Sequence, residues 1–183
     1  DSYINVNSQS TAGIDITARY EHEFDFGNLV VDMSATHTTE DVVNLFDPSL
    51  ASGFDTSDFN GSLGDPEWVG DASIQLRQGD WTYSWFVDYV GEMDHTPFAA
   101  ELAAYQGLTI RRINKTDHWL SHDASVRYRG DNYVITGGVS NVFNATPPLI
   151  TTGVATRFGN TPGFASQYDL RGRTFFVRLG YEF

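Results

Sequence analysis

The chain has 183 residues, a net charge of −13 and no cysteine; 14% of it is aromatic and 19% charged. That length is about one domain. The acidic balance excludes a nucleic-acid-binding face, and the missing thiols exclude disulfides, thiolate zinc sites and a cysteine nucleophile. No apolar run approaches the roughly 18 residues of a membrane helix.

Period-2 alternation recurs seven times and predicts strands over 10–24, 28–38, 66–77, 81–92, 116–128, 132–143 and 171–183. In the first, Ile14, Ile16, Ala18 and Tyr20 oppose Asp15, Thr17, Arg19 and Glu21. Leu29, Val31, Met33 and Ala35 mark the second, and Ala72, Ile74 and Leu76 the third. The fourth carries Trp81, Tyr83, Trp85, Val87 and Tyr89 on one face. Leu120, Ala124, Val126 and Tyr128 mark the fifth, and Tyr133, Ile135, Gly137 and Val139 the sixth. The last is the clearest, with Phe175, Val177, Leu179, Tyr181 and Phe183 against Phe176, Arg178, Gly180 and Glu182.

The connections alternate in length. Residues 25–27, 78–80 and 129–131 read as glycine-bearing hairpin turns, whereas 39–65, 93–115 and 144–170 are long loops. Short turns at one end and long loops at the other are the pattern of an outer-membrane barrel. Strands of this length also exceed the usual soluble mode of about 5–6 residues. Aromatics cluster near strand ends: Tyr20, Phe24, Trp81, Tyr83, Tyr128, Tyr133, Tyr181 and Phe183 at the turns, Trp68, Tyr89, Trp119 and Phe143 at the loops. They are expected to form two interfacial girdles.

A soluble β-sandwich also alternates, but its second face would not carry Asp15, Arg19, Asp71, Arg77, Asp123, Arg127 and Arg178 at depth, as a wet lumen does. In the barrel phase nine acids face the lumen (Asp15, Glu21, Glu23, Asp32, Asp71, Asp88, Glu92, Asp123, Glu182) against Arg19, Arg77, Arg127 and Arg178.

Few constellations suggest chemistry. Residues 56–67 partly fit a calcium loop, with Asp58, Asn60, Gly61 and Glu67 at ligand or turn positions but Thr56 where an Asp is needed. A solvated acidic loop and a calcium-ordered one both fit, so calcium is the one candidate cofactor. His118 and His122 lie about 13 Å apart by strand rise, too far to share a metal, and are expected at a rim or interface. Asp117 with His118, and Ser121 with His122, are strand neighbours pointing to opposite faces; no enzymatic site is predicted. The loop aromatics Phe46, Phe54, Phe59, Phe98, Tyr105, Phe158, Phe164 and Tyr168 either stack on a ligand ring or hold the loops together.

The final segment Gly172-Arg173-Thr174-Phe175-Phe176-Val177-Arg178-Leu179-Gly180-Tyr181-Glu182-Phe183 resembles the last strand of TonB-dependent outer-membrane receptors. Residues 133–148, with Gly138-Val139-Ser140-Asn141-Val142-Phe143-Asn144 and then Pro147-Pro148, are similar to their penultimate strand, with Val142 and Asn144 where the family has Leu and Asp. Asn7 followed by Gly13-Ile14-Asp15 resembles the opening of an earlier strand. The resemblance implies an all-β, transmembrane, up-and-down barrel of 22 strands around a plug, of which this chain supplies about seven C-terminal strands. It implies Leu179, Tyr181 and Phe183 as the signal read by the barrel-assembly machinery. It also implies outer-membrane lipids, TonB (through a plug segment) and the remaining strands and plug as partners, those strands and the plug being a separate chain or further sequence of the same protein. The expected function is active uptake of a scarce nutrient, a neutral siderophore–iron complex or an oligosaccharide; the alternative is a passive porin or structural barrel without a plug.

Overall fold

The computed structural model describes residues 8–47, 49–51, 53–151 and 168–181. Among them the chain is all-β, without a helix. Seven long strands form an antiparallel meander in sequence order: β1 (Ser8–Phe24), β2 (Gly27–Phe46), β4 (Trp68–Gln78), β5 (Trp81–Val90), β10 (Trp119–Arg129), β11 (Tyr133–Ser140) and β12 (Thr174–Tyr181). Each overlaps the span where alternation places a strand, with ends within about three residues except where β11 and β12 are shorter and β2 runs eight residues beyond its expected end. Its far half pairs with β3 (Phe54–Asp58), which makes the sheet eight-stranded.

Residues 39–65 are therefore not all loop. Val42, Val43, Leu45 and Phe46 keep β propensity under an acid-rich composition that suggests loop. Ser8–Ala12 of β1 continue beside them, pairing with Glu40–Asn44. The three strands extend past the rest of the sheet as a flap, tied by Gln9 and Thr11 donating to the Asp41 carboxylate and by Thr56 donating to Asn44.

The 93–115 connection also holds short strands. β6 (Met93–Asp94) pairs with β9 (Lys115–Thr116), and β7 (Leu102–Tyr105) forms a hairpin with β8 (Leu108–Arg111). Asp94 and Lys115 meet at 2.7 Å across the first pair. The Lys115 ammonium, helped by Thr96, holds the Asp94 carboxyl down at about 2. Because folding lowers this pKa, the contribution is complete above the ordinary value of 3.8 and is lost as pH falls through about 2.

Two of the short connections are tighter than expected, with two residues between paired strand ends: Phe24 pairs with Gly27, and Gln78 with Trp81. Gly79 takes φ +56° at the first central position, where a type II′ turn requires a left-handed residue.

Register makes the two faces continuous across the meander. One joins Ile16, Ala35 and Gly70 to Tyr89 and Leu120, and Val31, Ile74, Trp85 and Ala124 to Val139 and Phe175. The described residues at the expected apolar positions all share it; Phe183 lies outside the described residues. Among the described residues no second layer covers this face: Phe175, Val177 and Leu179 are 73–75% exposed and Ile14 is 56% exposed. Each such side chain left in water forgoes roughly 1.5–3 kcal/mol of burial free energy.

The opposite face carries the charges. Arg19 pairs with Asp32 at 2.7 Å, and Asp15 accepts a hydrogen bond from Thr36. Gly138 sits on this face because space forbids anything larger: a Cβ there would lie 2.5 Å from the Phe176 ring and 2.7 Å from the Ala124 carbonyl oxygen.

Candidate functional site

A buried hydrophobic cluster lies at the loop end of the polar face. Val69, Val90 and Trp119 occupy one cross-strand row there. Val90 and Trp119 pack with Met93 and Tyr168, and Leu63 and Ala145 close the cluster. Trp119 is thus no girdle residue. Its odd position shares the face of Ser121 and Asp123, and its ring meets Tyr168 edge-on at 5.3 Å. Trp68 and Tyr89 do lie on the apolar face and stack on His37 and His118. On the same face Trp85 donates its indole N–H to His122 Nδ1 at 3.2 Å, and Phe143 packs edge-on against the imidazole. This places His122 in an aromatic patch, satisfied by a neighbour rather than poised for chemistry.

One row below the core are the aspartates. Asp71 of β4 stands directly opposite Asp88 of β5, and Asp123 of β10 is diagonal to Asp88. With Trp119, Tyr168, Asp169 and Arg171 they line a cleft of 830 Å³. Its walls are held by specific bonds. Asp123 accepts the Asn141 backbone N–H at 2.8 Å. Asn141, 1% exposed and at φ +53°, clamps residue 145 through both ends of its amide, Nδ2 donating to the Ala145 carbonyl and Oδ1 accepting the Ala145 N–H. Asn144, at φ +55°, accepts the Arg173 N–H, tying the end of β11 to the start of β12. The Asn-x-x-Asn segment therefore shapes the cleft. Asp169 accepts the N–H and Nε–H of Arg171, and the backbone bond holds its carboxyl below the usual range. Tyr168, 5% exposed, has its phenol pushed up to about 12 by burial, so it stays a neutral hydroxyl.

Four to six residues toward the short turns the charge reverses. Arg77, Thr82, Arg127, Thr136 and Arg178 form one continuous cross-strand row. The intervening threonines keep the guanidinium groups two strands apart, about 9.6 Å. None of these three arginines makes an ion pair among the described residues. Of the expected lumen acids, Glu92 lies beyond the end of β5 in a separate cleft with Glu67, Asp94 and Lys115, and Glu182 lies outside the described residues.

The loop aromatics do not share one platform. Phe59 and Phe98 stack on each other at 4.6 Å, joining two connections. Phe46 and Phe54 are paired positions on the flap, and Tyr105 lies on the β7–β8 hairpin. Phe158 and Phe164 lie outside the described residues. Among the described loop aromatics, Tyr168 alone reaches the aspartate cleft. Trp119 and the aspartate row form the part of the site that single-strand reasoning does not assemble.

In the calcium-like segment, Asp58 Oδ1 accepts backbone N–H groups from Asp41 and Asn60 at 3.1 and 3.0 Å, and Asn60 Nδ2 donates to the Thr38 carbonyl. Glu67 lies over Gly61. Burial, reinforced by Asp41, raises the Asp65 carboxyl. No group of three or more His, Asp or Glu residues placed to hold a metal occurs among the described residues. A carboxylate committed to two N–H groups has less to offer a cation, so calorimetric titration with calcium is expected to give only heat of dilution. A saturable heat absent from the Asp58→Ala/Glu67→Ala variant would instead assign a cation to this turn. Comparison with known proteins gives no match, either to a family model, to a curated sequence or to a solved structure.

Proposed function

We propose that this chain forms about seven C-terminal strands of the 22-stranded transmembrane barrel of a TonB-dependent outer-membrane receptor, which actively takes up a scarce nutrient, a neutral siderophore–iron complex or an oligosaccharide. The observation that carries this reading is a sheet that is single-layered among the described residues, apolar along one face save for His22, His37 and His122 and charged along the other. A soluble protein buries such a face under a second layer. A barrel strand turns it to lipid and its polar side to water. Strands of 8–20 residues, short turns at one end and structured connections at the other suit the same arrangement. β1 and β12 each have one edge without a ladder partner among the described residues. In lipid those edges need the strands of the remaining barrel. The resemblance of residues 133–148 and 172–183 narrows the barrel to the receptor family.

Two measurements test this. The chain has no cysteine, so single variants report cleanly on their surroundings. Val126→Cys and Ile135→Cys are expected to resist a charged maleimide that reacts readily at Ser84→Cys, while a neutral, membrane-soluble maleimide reaches all three. Equal reaction with the charged reagent at all three would overturn the membrane reading. Uptake by cells is expected to stop when the proton-motive force is collapsed; uptake that continues unchanged would make the barrel a passive channel.

A further inference from the structure

One position on the apolar face is left empty. Gly137 is flanked across the strands by Val126 of β10 and Val177 of β12, and along its own strand by Ile135 and Val139. Neither backbone nor packing requires a glycine there. Its φ is not positive, and a Cβ would meet nothing closer than the Phe176 carbonyl oxygen at 4.0 Å. Glycine weakens a strand interior, and it leaves room for another group to approach. The room here is a hollow of 550 Å³ over Gly137 and Ala124, walled by Tyr83, Trp85, Val126 and Val139. The two serines on its lining, Ser84 and Ser125, belong by parity to the polar face.

Four residues toward the turn, about 13 Å by strand rise, Tyr133 lines a second cleft, of 310 Å³, together with Arg129, Asp131 and Tyr181. Backbone bonds fix its frame: the Arg129 N–H donates to the Asp80 carbonyl and the Gly130 N–H to the Tyr133 carbonyl, both at 2.9 Å. The Arg129 guanidinium and the Asp131 carboxylate are exposed, and neither makes an ion pair among the described residues. The cleft thus presents an unpaired cation and an unpaired anion side by side. Tyr133, Ile135 and Gly137 run from it to the hollow as one apolar strip. Beside it Trp81, Tyr128 and Tyr133 cluster, with ring centroids 4.8 and 5.9 Å apart, as amphipathic rings do at the headgroup level of a membrane.

These features select a ligand. A simple anion would meet Arg129 and be repelled by Asp131. An apolar molecule without a headgroup would fill the hollow and leave both charges unmet. We propose that the two clefts together hold one zwitterionic aminophospholipid, its phosphate at Arg129, its ammonium at Asp131, and one acyl chain passing Ile135 into the hollow at Gly137. This rests on the reading of the apolar face as lipid-facing, and it places the site in the leaflet at the short-turn end.

The test is native mass spectrometry of the intact protein, delipidated in detergent and titrated with phosphatidylethanolamine, phosphatidylglycerol and diacylglycerol of the same chains. Phosphatidylethanolamine is expected to bind severalfold more tightly than the other two. Asp131→Asn is expected to erase its preference over phosphatidylglycerol, and Arg129→Gln to weaken both phospholipids toward diacylglycerol. Gly137→Leu, which fills the hollow, is expected to weaken all three severalfold with the fold intact, since its Cβ has space. The two turn variants, at exposed positions, carry the test if Gly137→Leu does not fold. Equal binding of the two phospholipids by the parent would overturn the proposal in favour of a non-selective lipid annulus. Tighter phosphatidylglycerol would overturn it in favour of a simple anion site, and unchanged binding by folded Gly137→Leu would overturn it by removing the chain from the hollow. Read on protein that fractionates with the outer membrane, these results sink this proposal alone. Fractionation elsewhere sinks the lipid-facing reading, and this proposal with it.

Discussion

Arginine in place of Val87 or Val177 is expected to destabilise the protein by about 2–4 kcal/mol when the position lies near mid-membrane. Both side chains lie on the apolar face, Val87 opposite Ala72 and His122, and Val177 opposite Gly137. Neither has a carboxylate within its cross-strand set, so a guanidinium there would enter lipid without a counter-ion. Ser84→Arg is the matching control. It projects on the polar face between Gln75 and Ser125, and its cost is expected to be far smaller. Thr136 is a poorer control, since it sits between Arg127 and Arg178 and a third guanidinium would add repulsion unrelated to lipid. Reversible denaturant unfolding in lipid vesicles measures the difference. Equal costs at Val177 and Ser84 would mean that the apolar face does not meet lipid.

Removing Phe183, or replacing it with Asp, is expected to reduce the folded population in the outer membrane to a minor fraction. The resemblance assigns Phe183 with Leu179 and Tyr181 to the assembly signal. Leu179 and Tyr181 share the apolar face of β12, 73% and 61% exposed, in register with Ile135 and Tyr133. Phe183 itself lies beyond the described residues. An exposed aromatic outside the signal supplies the comparison: Phe26, in the β1–β2 turn, is 55% exposed, and Phe26→Asp is expected to leave insertion intact. Heat-modifiable migration on gels reads the folded fraction. Unchanged levels for both variants would remove Phe183 from the signal.

The long strands and their faces were legible because parity is a property of one strand alone. Phe175, Val177 and Leu179 share a side whatever lies next to them. Trp119 shows what happens when an aromatic is judged by its place near a strand end and not by its parity. It alternates with Leu120 and belongs with Asp123, which puts it over the cleft. The flap was hidden because the acids at 40, 41, 55 and 58 suggest loop, whereas the ladder of β1, β2 and β3 places Asp41 where Gln9 and Thr11 can bind it. Asp71 and Asp88 needed a partner strand to be seen together. They lie seven residues before Gln78 and seven after Trp81, so placing the two-residue turn at Gly79–Asp80 brings them face to face. Tyr168 could not be placed by any such rule, since an irregular segment carries it to the core.

On the proposed reading of the polar face as a lumen wall, its vertical order of charge has a consequence for transit. From β4 to β12 the aspartates lie at the loop end and the arginine row four to six residues lower, about 13–20 Å by strand rise. That exceeds the roughly 8 Å screening length of physiological salt, so the two zones act as separate stations. A positively charged solute arriving from the loop side finds a well, and beneath it a hill. Retreat is easier than advance. An anion meets the opposite sequence and is turned away at the mouth. On this wall capture and descent are distinct problems: the aspartates solve the first, and the arginines oppose the second until work is supplied from elsewhere.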